Sequence, residues 1–330
     1  MNYYLGVDAG GSKTYALVTD ENGIVVGKGR AGNGNHQTGY DQAKQNIAKA
    51  VAESLDQAGL EPHEIEFAVF GLAGADRETD FNILRPMISE LGVPRHEVVC
   101  DTMIALRAGT SRPYGVVLIC GSGTNSAGKN PQGEFYQCGG FSYLYGDFGG
   151  GGSLSVEAFR SVIRAWDGRE RSTLLTGLLL SYLKYDSVSD MFNDYLDHNK
   201  MPPIDSAQLV FQAATQGDAV AQDILRHQGE ELGKSARAVI QRLGMQKETF
   251  DVVLAGSIVT RGESKLIHTQ IESAVQMVAP EANILKLSIE PVIGAVWMAM
   301  EASGHRVSQN AYDRLKSMKE FKAINLEKRV

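Results

Sequence analysis

Short apolar runs that end at polar, glycine-rich turns open the chain, and amphipathic stretches separate the later runs. Apolar residues at Ile47, Val51 and Leu55 recur every four positions, which is the spacing of one helix face. In the first hundred residues the pattern predicts strands at 3–7, 14–19, 24–28, 67–70 and 97–100, and helices at 42–57 and 81–91. Strands and helices therefore alternate, which is typical of an α/β domain.

The same pattern begins again near residue 115. An apolar run at 115–119, a glycine turn at 121–125 and a strand at 134–138 repeat the order of strand, glycine turn, strand, turn and strand. The remaining chain predicts strands at 250–255 and 284–288, and helices at 153–166, 218–243 and 291–302. A duplication is the simplest explanation of the repeat, so we predict two α/β domains.

Length and charge narrow the class of protein. A chain of 330 residues is long enough for about two domains, and its formal net charge of −7 argues against general affinity for nucleic acid or anionic membranes. No apolar run reaches the roughly 20 residues that span a bilayer, and the N-terminus lacks the layout of a signal peptide. Cys100, Cys120 and Cys138 lie far apart and indicate neither a disulfide framework nor a zinc motif. The sequence therefore predicts a cytoplasmic protein.

The first glycine turn has the chemistry of an anion site. Successive backbone N–H groups at Gly10 and Gly11 can form a positive concavity, and Ser12, Lys13 and Thr14 add two hydroxyl groups and a charge. Asp8 precedes this turn at the end of a predicted strand, where its carboxylate could hold a hydrated Mg²⁺. The alternative is an ordinary hairpin with polar residues.

A second turn with the same features strengthens the phosphate hypothesis. It consists of Gly121, Ser122, Gly123, Thr124 and Asn125. Two such hairpins on duplicated domains would clamp a nucleotide. Gly256 and Ser257 follow another predicted strand, where a glycine permits close approach of the backbone to an adenine ring.

Two further features suit an acceptor. Asp101 follows a predicted strand, where α/β folds place ligand sites, and its carboxylate could deprotonate a hydroxyl group that attacks a γ-phosphate. The alternative is an N-cap for a helix at 102–108. The loop at 138–150 combines glycines, aromatic rings and Asp147, a mixture that suits a sugar, although a flexible linker is the alternative.

These elements, in this order, resemble the BadF/BadG/BcrA/BcrD ATPase family, and within it the N-acetylglucosamine kinases. The motifs that carry the resemblance are residues 8–14, 71–76, Asp101, 121–125, 130–133, 138–147 and 255–257. The resemblance implies the fold of sugar kinases, heat-shock protein 70 and actin, which has two duplicated ribonuclease H-like (actin-like ATPase) domains with a nucleotide cleft between them. We expect the domains at 1–115 and 116–302, with a helical insertion in the second. A tail at 303–330 is expected to provide a helix that can pack back on the first domain.

The resemblance also assigns roles to residues. It implies ATP contacts at the two turns and at Gly256 and Ser257, a catalytic base at Asp101, and a magnesium contact through water at Asp8. The implied sugar contacts are Asn35, His36, Asp101, Asn125, Gly139, Gly140, Phe141 and Asp147.

The sugar loop departs from the pattern of the N-acetylglucosamine kinases at two places. Phe141-Ser142-Tyr143 stands where Trp-Gly-His follows Cys-Gly-Gly, and Phe148 stands where a Glu follows Gly-Asp. The first change alters a pocket wall and the second removes a carboxylate. The identity of the sugar therefore stays open among N-acetylglucosamine, glucosamine and N-acetylmuramic acid.

The residues and the resemblance together predict an ATP- and Mg²⁺-dependent kinase that phosphorylates the 6-hydroxyl of an amino sugar, and the resemblance implies a homodimer. Another arm of the same family, the ATPases that activate radical dehydratases and reductases, holds an iron–sulfur cluster between subunits through cysteines. The cysteine positions of this chain do not resemble an exposed cluster pair. A third hypothesis, a non-catalytic sugar-binding regulator, would need a DNA-binding segment for which the chain offers no room before its first strand.

Overall fold

A computed structural model describes residues 1–260 and 264–318 of the chain. It divides into two compact units, one formed by Met1–Val117 together with the segment from Leu287 onward, and the other by Leu118–Lys286. The part of the expected tail at residues 319–330 lies outside the described residues.

The described residues form ten strands and twelve α-helices. The strands are β1 (Tyr3–Ala9), β2 (Thr14–Asp20), β3 (Val25–Ala31), β4 (Ile65–Leu72), β5 (His96–Cys100), β6 (Gly115–Cys120), β7 (Thr124–Lys129), β8 (Phe135–Cys138), β9 (Asp251–Ala255) and β10 (Asn283–Lys286). The helices are α1 (Tyr40–Ala58), α2 (Glu78–Ser89), α3 (Asp101–Gly109), α4 (Gly150–Trp166), α5 (Leu175–Leu183), α6 (Val188–Asp197), α7 (Ala207–Thr215), α8 (Ala219–Arg242), α9 (Ser257–Thr260), α10 (Lys265–Val278), α11 (Pro291–Ala302) and α12 (Gln309–Lys316). Short 3-10 turns lie at His36–Thr38, Pro62–Glu64, Tyr143–Tyr145 and Ile204–Ser206.

The sheet of the first unit has the strand order β3-β2-β1-β4-β5. Strands β1 to β3 form an antiparallel meander, whereas β4 lies parallel to β1 and β5 lies parallel to β4. The carboxyl ends of β1, β4 and β5 therefore meet at one edge of the sheet.

Both faces of this sheet are covered, which explains the continuous apolar runs of its strands. Leu5 and Val7 of β1 belong to the core that α1 and α2 cover, with Ile47 and Leu84 among its members. Tyr4 of the same strand faces the opposite core, where it packs with Trp297 of α11. Neighbouring residues of one strand thus serve two cores, as the alternation of side chains along a strand requires.

The second sheet repeats the topology of the first. Its order, β8-β7-β6-β9-β10, matches β3-β2-β1-β4-β5 strand for strand in chain order. The predicted duplication of an α/β unit is therefore confirmed. Helices α4 to α7 form a helical insertion between β8 and the long helix α8. Among the residues that the structure describes, no helix has the length and apolar character needed to cross a membrane.

The units divide the chain differently from the expected domains. We expected a boundary after residue 115 and a second domain that continues to residue 302. In the structure the division falls inside β6, and α11 belongs to the first unit. The reason is packing, because Trp297 of α11 is fully buried against Tyr4 and Leu17 of the first sheet. The described part of the tail also packs on this unit, where Tyr312 of α12 stacks on Trp297 with ring centroids 4.3 Å apart.

Close contact between α1 and β3 depends on glycine. A Cβ atom at Gly29 would lie 1.8 Å from the carbonyl oxygen of Ala50, so the helix could not keep its present distance from the strand. In contrast, a Cβ atom at Gly177 on the exposed side of α5 would meet no atom within 4 Å.

We expect Gly29→Ala to lower the free energy of unfolding by about 2 kcal/mol or more, because α1 must shift away from the sheet. The matched substitution Gly177→Ala should instead raise it by about 0.5–1 kcal/mol, through helix propensity. Urea unfolding followed by circular dichroism measures both changes. Equal effects of the two substitutions would contradict the close helix–strand contact.

Candidate functional site

Three carboxylates converge at the carboxyl edge of the first sheet. Strand pairing sets Asp8 of β1 level with Gly71 of β4, and sets Leu72 of β4 level with Cys100 of β5. Asp101 follows Cys100 directly, and Asp76 lies in the loop after β4. This is the edge at which open α/β folds bind ligands.

Asp8 is partly buried at the end of β1. Burial raises the pKa of Asp8 to about 7, against the opposing charge of Lys13, and the negative charges of Asp101 and Glu290 raise it further. The carboxylate therefore lies in a place where a positive group would stabilise its charge.

Asp101 is the first residue of α3, and Cys100 holds the N-cap position. The alternative prediction, that Asp101 itself caps this helix, is therefore wrong. Burial raises the pKa of Asp101 to about 6. Hydrogen bonds from Cys100 and from the backbone of Thr102 lower that pKa, whereas the charge of Asp76 raises it. Near neutral pH the group is thus ionised and still takes up a proton readily.

The turn after β1 places its charged side chain against another carboxylate. Lys13 Nζ lies 3.0 Å from Glu290 Oε2, at the residue before α11, and 4.3 Å from the centre of the Tyr15 ring. Burial opposes the charge of Lys13, but Glu290 and Asp8 outweigh that effect and raise the pKa of Lys13. Lys13 is therefore held charged beside the acidic edge.

The hydroxyl group of Thr14 has a structural role. Thr14 is fully buried, and its Oγ1 donates to the carbonyl oxygen of Gly32 at 2.9 Å. The prediction that this hydroxyl serves as a phosphate contact is therefore corrected. Gly11 and Ser12 are exposed at the tip of the turn, as an anion-binding backbone requires.

The loop before α1 joins the same edge. Asn35 caps the short 3-10 turn, and its Oδ1 accepts a hydrogen bond from the Gln37 backbone at 2.9 Å. Gln37 Nε2 in turn donates to the carbonyl oxygen of Gly74, in the loop that carries Asp76. This contact holds the Asn35 turn against the loop after β4, which carries Asp76. The role of Asn35 as a sugar contact stays a prediction.

His36 is placed differently from our expectation. Its imidazole is buried and its Nε2 lies 3.5 Å from Oδ1 of Asp80, a buried carboxylate that also binds Arg77. The ring therefore packs the loop against the start of α2 and does not face solvent. We correct His36 from a sugar contact to a residue that positions the Asn35 loop.

In the second unit the glycine turn at 121–125 is hydrogen-bonded to the four-glycine run at 149–152. The N–H of Gly151 donates to the carbonyl oxygen of Gly121 at 2.8 Å, and the N–H of Gly152 donates to that of Ser122 at 3.0 Å. Helix α4 begins inside the four-glycine run, earlier than predicted, for this reason. Ser122 and Gly123 stay exposed at the tip of the turn.

The predicted adenosine contact lies beside this turn. A Cβ atom at Gly256 would come within 2.4 Å of the Cys120 carbonyl oxygen, so the residue lies directly against the end of β6. Ser257 follows as the first residue of α9. The structure thus brings Gly121 and Gly256 together within the second unit.

The predicted sugar loop is folded around Asp147. The carboxylate oxygen Oδ2 of Asp147 accepts hydrogen bonds from the backbone N–H groups of Phe141 and Ser142, at 2.6 and 2.7 Å. A Cβ atom at Gly139 would lie 2.3 Å from Asp147 Oδ1, and one at Gly140 would lie 2.8 Å from the Asn125 amide. These glycines therefore let Asp147 and Asn125 lie directly against the loop backbone.

Sequence reasoning missed several residues that adjoin these groups. The missed residues are Asp76, Cys100 as a partner of carboxylates, Glu290 and Gln228. Gln228 is fully buried in α8, and its Oε1 accepts the N–H of Gly150 at 3.0 Å. Asp76 alone had a sequence signal, since it ends the motif at 71–76.

The metal-binding potential of the described residues rests on carboxylate oxygens. Asp8 offers the oxygen donor that Mg²⁺ prefers, beside the other acidic groups, so it fits a contact made through water. Within residues 1–260 and 264–318 no group of three or more His, Cys, Asp or Glu could hold a metal directly. Cys100 and Cys120 are buried and Cys138 is partly buried, which does not suit a cluster shared between subunits.

Comparison with known proteins gives matches over most of the chain. The model of the BadF/BadG/BcrA/BcrD ATPase family matches residues 5–299. The N-acetylmuramic acid/N-acetylglucosamine kinase of Clostridium acetobutylicum is 29% identical over 304 residues, which cover 91% of this chain and 98% of that protein. The N-acetyl-D-glucosamine kinase of Dictyostelium discoideum is 28% identical over 314 residues, which cover 91% and 98%.

A solved structure shares the fold. It is that of a Chromobacterium violaceum protein proposed to be an N-acetylglucosamine kinase, with a TM-score of 0.69 at 22% identity, and it covers 91% of this chain and 99% of that one. The predicted resemblance in sequence and fold is thus confirmed.

The raised pKa of Asp101 predicts a pH-dependent gain in stability when its charge is removed. A carboxyl group with a raised pKa in the folded state stabilises the fold most below its unfolded pKa, and this contribution is lost as the pH rises through about 6. We therefore expect Asp101→Asn to raise the free energy of unfolding by about 1 kcal/mol at pH 8, and to lose that gain near pH 4.

The control is Asp20→Ala. Asp20 Oδ1 accepts two backbone N–H groups, from Asn22 and Ile24, so its replacement should lower stability at pH 8. Urea unfolding at pH 4, 6 and 8 distinguishes the two. A loss of stability in Asp101→Asn at every pH would contradict the predicted destabilising effect of the Asp101 charge.

Proposed function

Because the chain belongs to the BadF/BadG/BcrA/BcrD ATPase family, we propose that it is an ATP-dependent kinase that phosphorylates the 6-hydroxyl of an amino sugar, with N-acetylglucosamine as the first candidate. The observation that carries the proposal is Asp101, a partly buried carboxylate at the ligand edge of a parallel sheet with a pKa raised to about 6. The names of the two curated relatives support the class of acceptor.

In the proposed reaction Asp101 accepts the proton of the sugar hydroxyl as its oxygen bonds to the γ-phosphorus, while the bond from that phosphorus to the bridging oxygen of ADP breaks. An ionised carboxylate can take this proton, and its raised pKa brings its basicity closer to that of the reacting group at neutral pH. We propose that Asn35, on the turn that Gln37 connects to the loop carrying Asp76, helps to orient the acceptor.

The exposed glycine turns supply the proposed nucleotide contacts. The exposed backbone of Gly11 and Ser12 in the first unit, and that of Ser122 and Gly123 in the second, is proposed to bind the phosphates, with Gly256 beside the second turn for adenine. The N–H groups of Gly10 and Gly121 instead close the two turns, because they donate to the carbonyl oxygens of Lys13 and Gly123 at 2.9 Å. Asp8 would hold a hydrated Mg²⁺, which, when bound, neutralises charge on the phosphates. The placement of the nucleotide between the two domains stays an expectation of the resemblance.

The loop around Asp147 carries further proposed sugar contacts. Phe141 is partly exposed and its backbone is fixed by the Asp147 carboxylate, so its ring can lie against the apolar face of a sugar. Asn125 and the glycines at 139 and 140 supply the adjacent polar surface. Since Oδ2 of Asp147 already accepts two N–H groups, we propose that this residue mainly shapes the loop.

The first experiment measures ADP release with Mg·ATP and glucose, glucosamine, N-acetylglucosamine, N-acetylmannosamine or N-acetylmuramic acid. We expect one amino sugar to stimulate turnover strongly. Asp101→Asn should lower kcat by about 10²–10⁴-fold, because the proton acceptor is lost. The matched control Asp56→Asn, at an exposed position of α1, should keep the turnover of the wild type.

Two outcomes would contradict the proposal. Turnover that none of these sugars stimulates would remove the proposed acceptor class, and sugar-dependent turnover near the wild-type rate in Asp101→Asn would remove the base.

The pH dependence of turnover gives an independent test. Because Asp101 must be ionised to accept a proton, kcat/KM for the sugar should fall about tenfold per pH unit below pH 6 and level off above it. A rate that stays constant between pH 5 and pH 7 would contradict this role.

A further inference from the structure

The thiol of Cys100 lies between two carboxylates of the candidate site. Cys100 Sγ is 3.4 Å from Asp101 Oδ1 and 3.5 Å from Asp76 Oδ1, both within hydrogen-bond distance for sulfur. Cys100 is only 4% exposed. Because water has little access to the thiol, the pKa of Cys100 depends mainly on burial and on these two carboxylates.

Those neighbours favour the thiol. Burial, together with the negative charges of Asp101 and Asp76, raises the pKa of Cys100 well above its ordinary value. A neutral thiol has one proton to donate and faces two carboxylate acceptors, so it can bond only one of them fully at a time.

We propose that Cys100 is a positioning residue, whose thiol donates its hydrogen bond to Asp101 in competition with Asp76 and thereby holds the Asp101 carboxylate ionised and oriented toward the acceptor hydroxyl. The inference rests on the proposed function, and it adds two residues to the machinery of the proposed base. No bond to sulfur forms or breaks, and the proton of the sugar hydroxyl goes to Asp101.

Cys100 and Asp76 act on Asp101 in opposite directions. The thiol stabilises the charged carboxylate, whereas the charge of Asp76 opposes it. Among the residues that the structure describes, the charged groups at this edge also include Asp8 on β1, with Lys13 and Glu290 beside it. On α3 itself Arg107 forms an ion pair with Glu301, at 2.7 Å, and lies six residues after Asp101. Removing the Cys100 thiol should therefore raise the pKa of Asp101, whereas removing the charge of Asp76 should lower it. These opposite shifts identify the competition between Cys100 and Asp76.

Strand pairing explains why this contact is built into the fold. Cys100 is the last residue of β5 and pairs with Leu72, the last residue of β4. The loop that leaves β4 returns Asp76 to the end of β5, so the thiol lies between the loop and the first turn of α3. A donor at this one position can reach both carboxylates.

The test measures the pH dependence of kcat/KM for the stimulating sugar, with saturating Mg·ATP, in Cys100→Ala, Cys100→Ser and Asp76→Asn. We expect Cys100→Ala to move the acidic limb upward by about 0.5 to 1 pH unit and to lower kcat/KM at pH 6 by about twofold to fivefold, because Asp101 loses a donor. Cys100→Ser keeps a donor and should return the limb toward that of the wild type. Asp76→Asn should move it downward by a similar amount.

Val98→Ala is the matched control. Val98 lies on the same face of β5, two residues earlier, and belongs to the apolar core of the first unit. Its truncation should lower thermal stability by more than Cys100→Ala and leave the pH profile unchanged.

Shifts of the same sign in Cys100→Ala and Asp76→Asn, or an unchanged profile in both, would overturn the positioning role. Should Cys100→Ala fail to fold, Cys100→Val removes the donor in its place with an apolar side chain of similar size, and the same upward movement of the acidic limb is expected. Asp101→Asn is measured in parallel, because its retention of sugar-dependent turnover would overturn the proposed base. If Asp101→Asn loses turnover while the pH profiles of the Cys100 and Asp76 variants match that of the wild type, only the positioning role is overturned.

Discussion

Burial of carboxylates at the end of a parallel sheet is the constraint on which this molecule depends. The parallel pairing of β1, β4 and β5 brings Asp8, Asp76 and Asp101 to one edge, where their charges repel and burial disfavours ionisation. The fold meets this constraint with Lys13 and with the Cys100 thiol. Charges kept in such an arrangement lower stability, and they persist where they serve binding or catalysis.

The packing of α11 connects the core of the first unit to this edge. Trp297 is fully buried, and a Cβ atom at Gly6 would lie 2.6 Å from the Val296 backbone nitrogen, so the helix lies directly on β1. Glu290 immediately precedes α11, and that packing carries it to Lys13. The charge balance of the site is thus set partly by apolar contacts that involve no charged residue.

The two units use one topology for different chemistry. The edge of the first sheet carries carboxylates beside its glycine turn, whereas the turn of the second unit presents the exposed backbone of Ser122 and Gly123, supported by the glycines that open α4. In the second unit Asp147 directs its oxygen Oδ2 at loop N–H groups. A duplicated scaffold has therefore acquired one acidic edge and one edge made largely of backbone.

The sequence by itself determined the strands, the glycine turns, the duplication and the helices α1, α2, α8 and α11, because these follow from patterns a few residues long. The helices α5, α6 and α7 of the insertion were not predicted from the pattern. The sequence also singled out Asp8 and Asp101, since each follows an apolar strand. Only the tertiary structure decided that α11 joins the first unit, that Thr14 and His36 face the protein, and that Cys100 lies between two carboxylates. Asp76 and Cys100 are 24 residues apart. Their contact depends on how β5 pairs with β4, which no local pattern encodes.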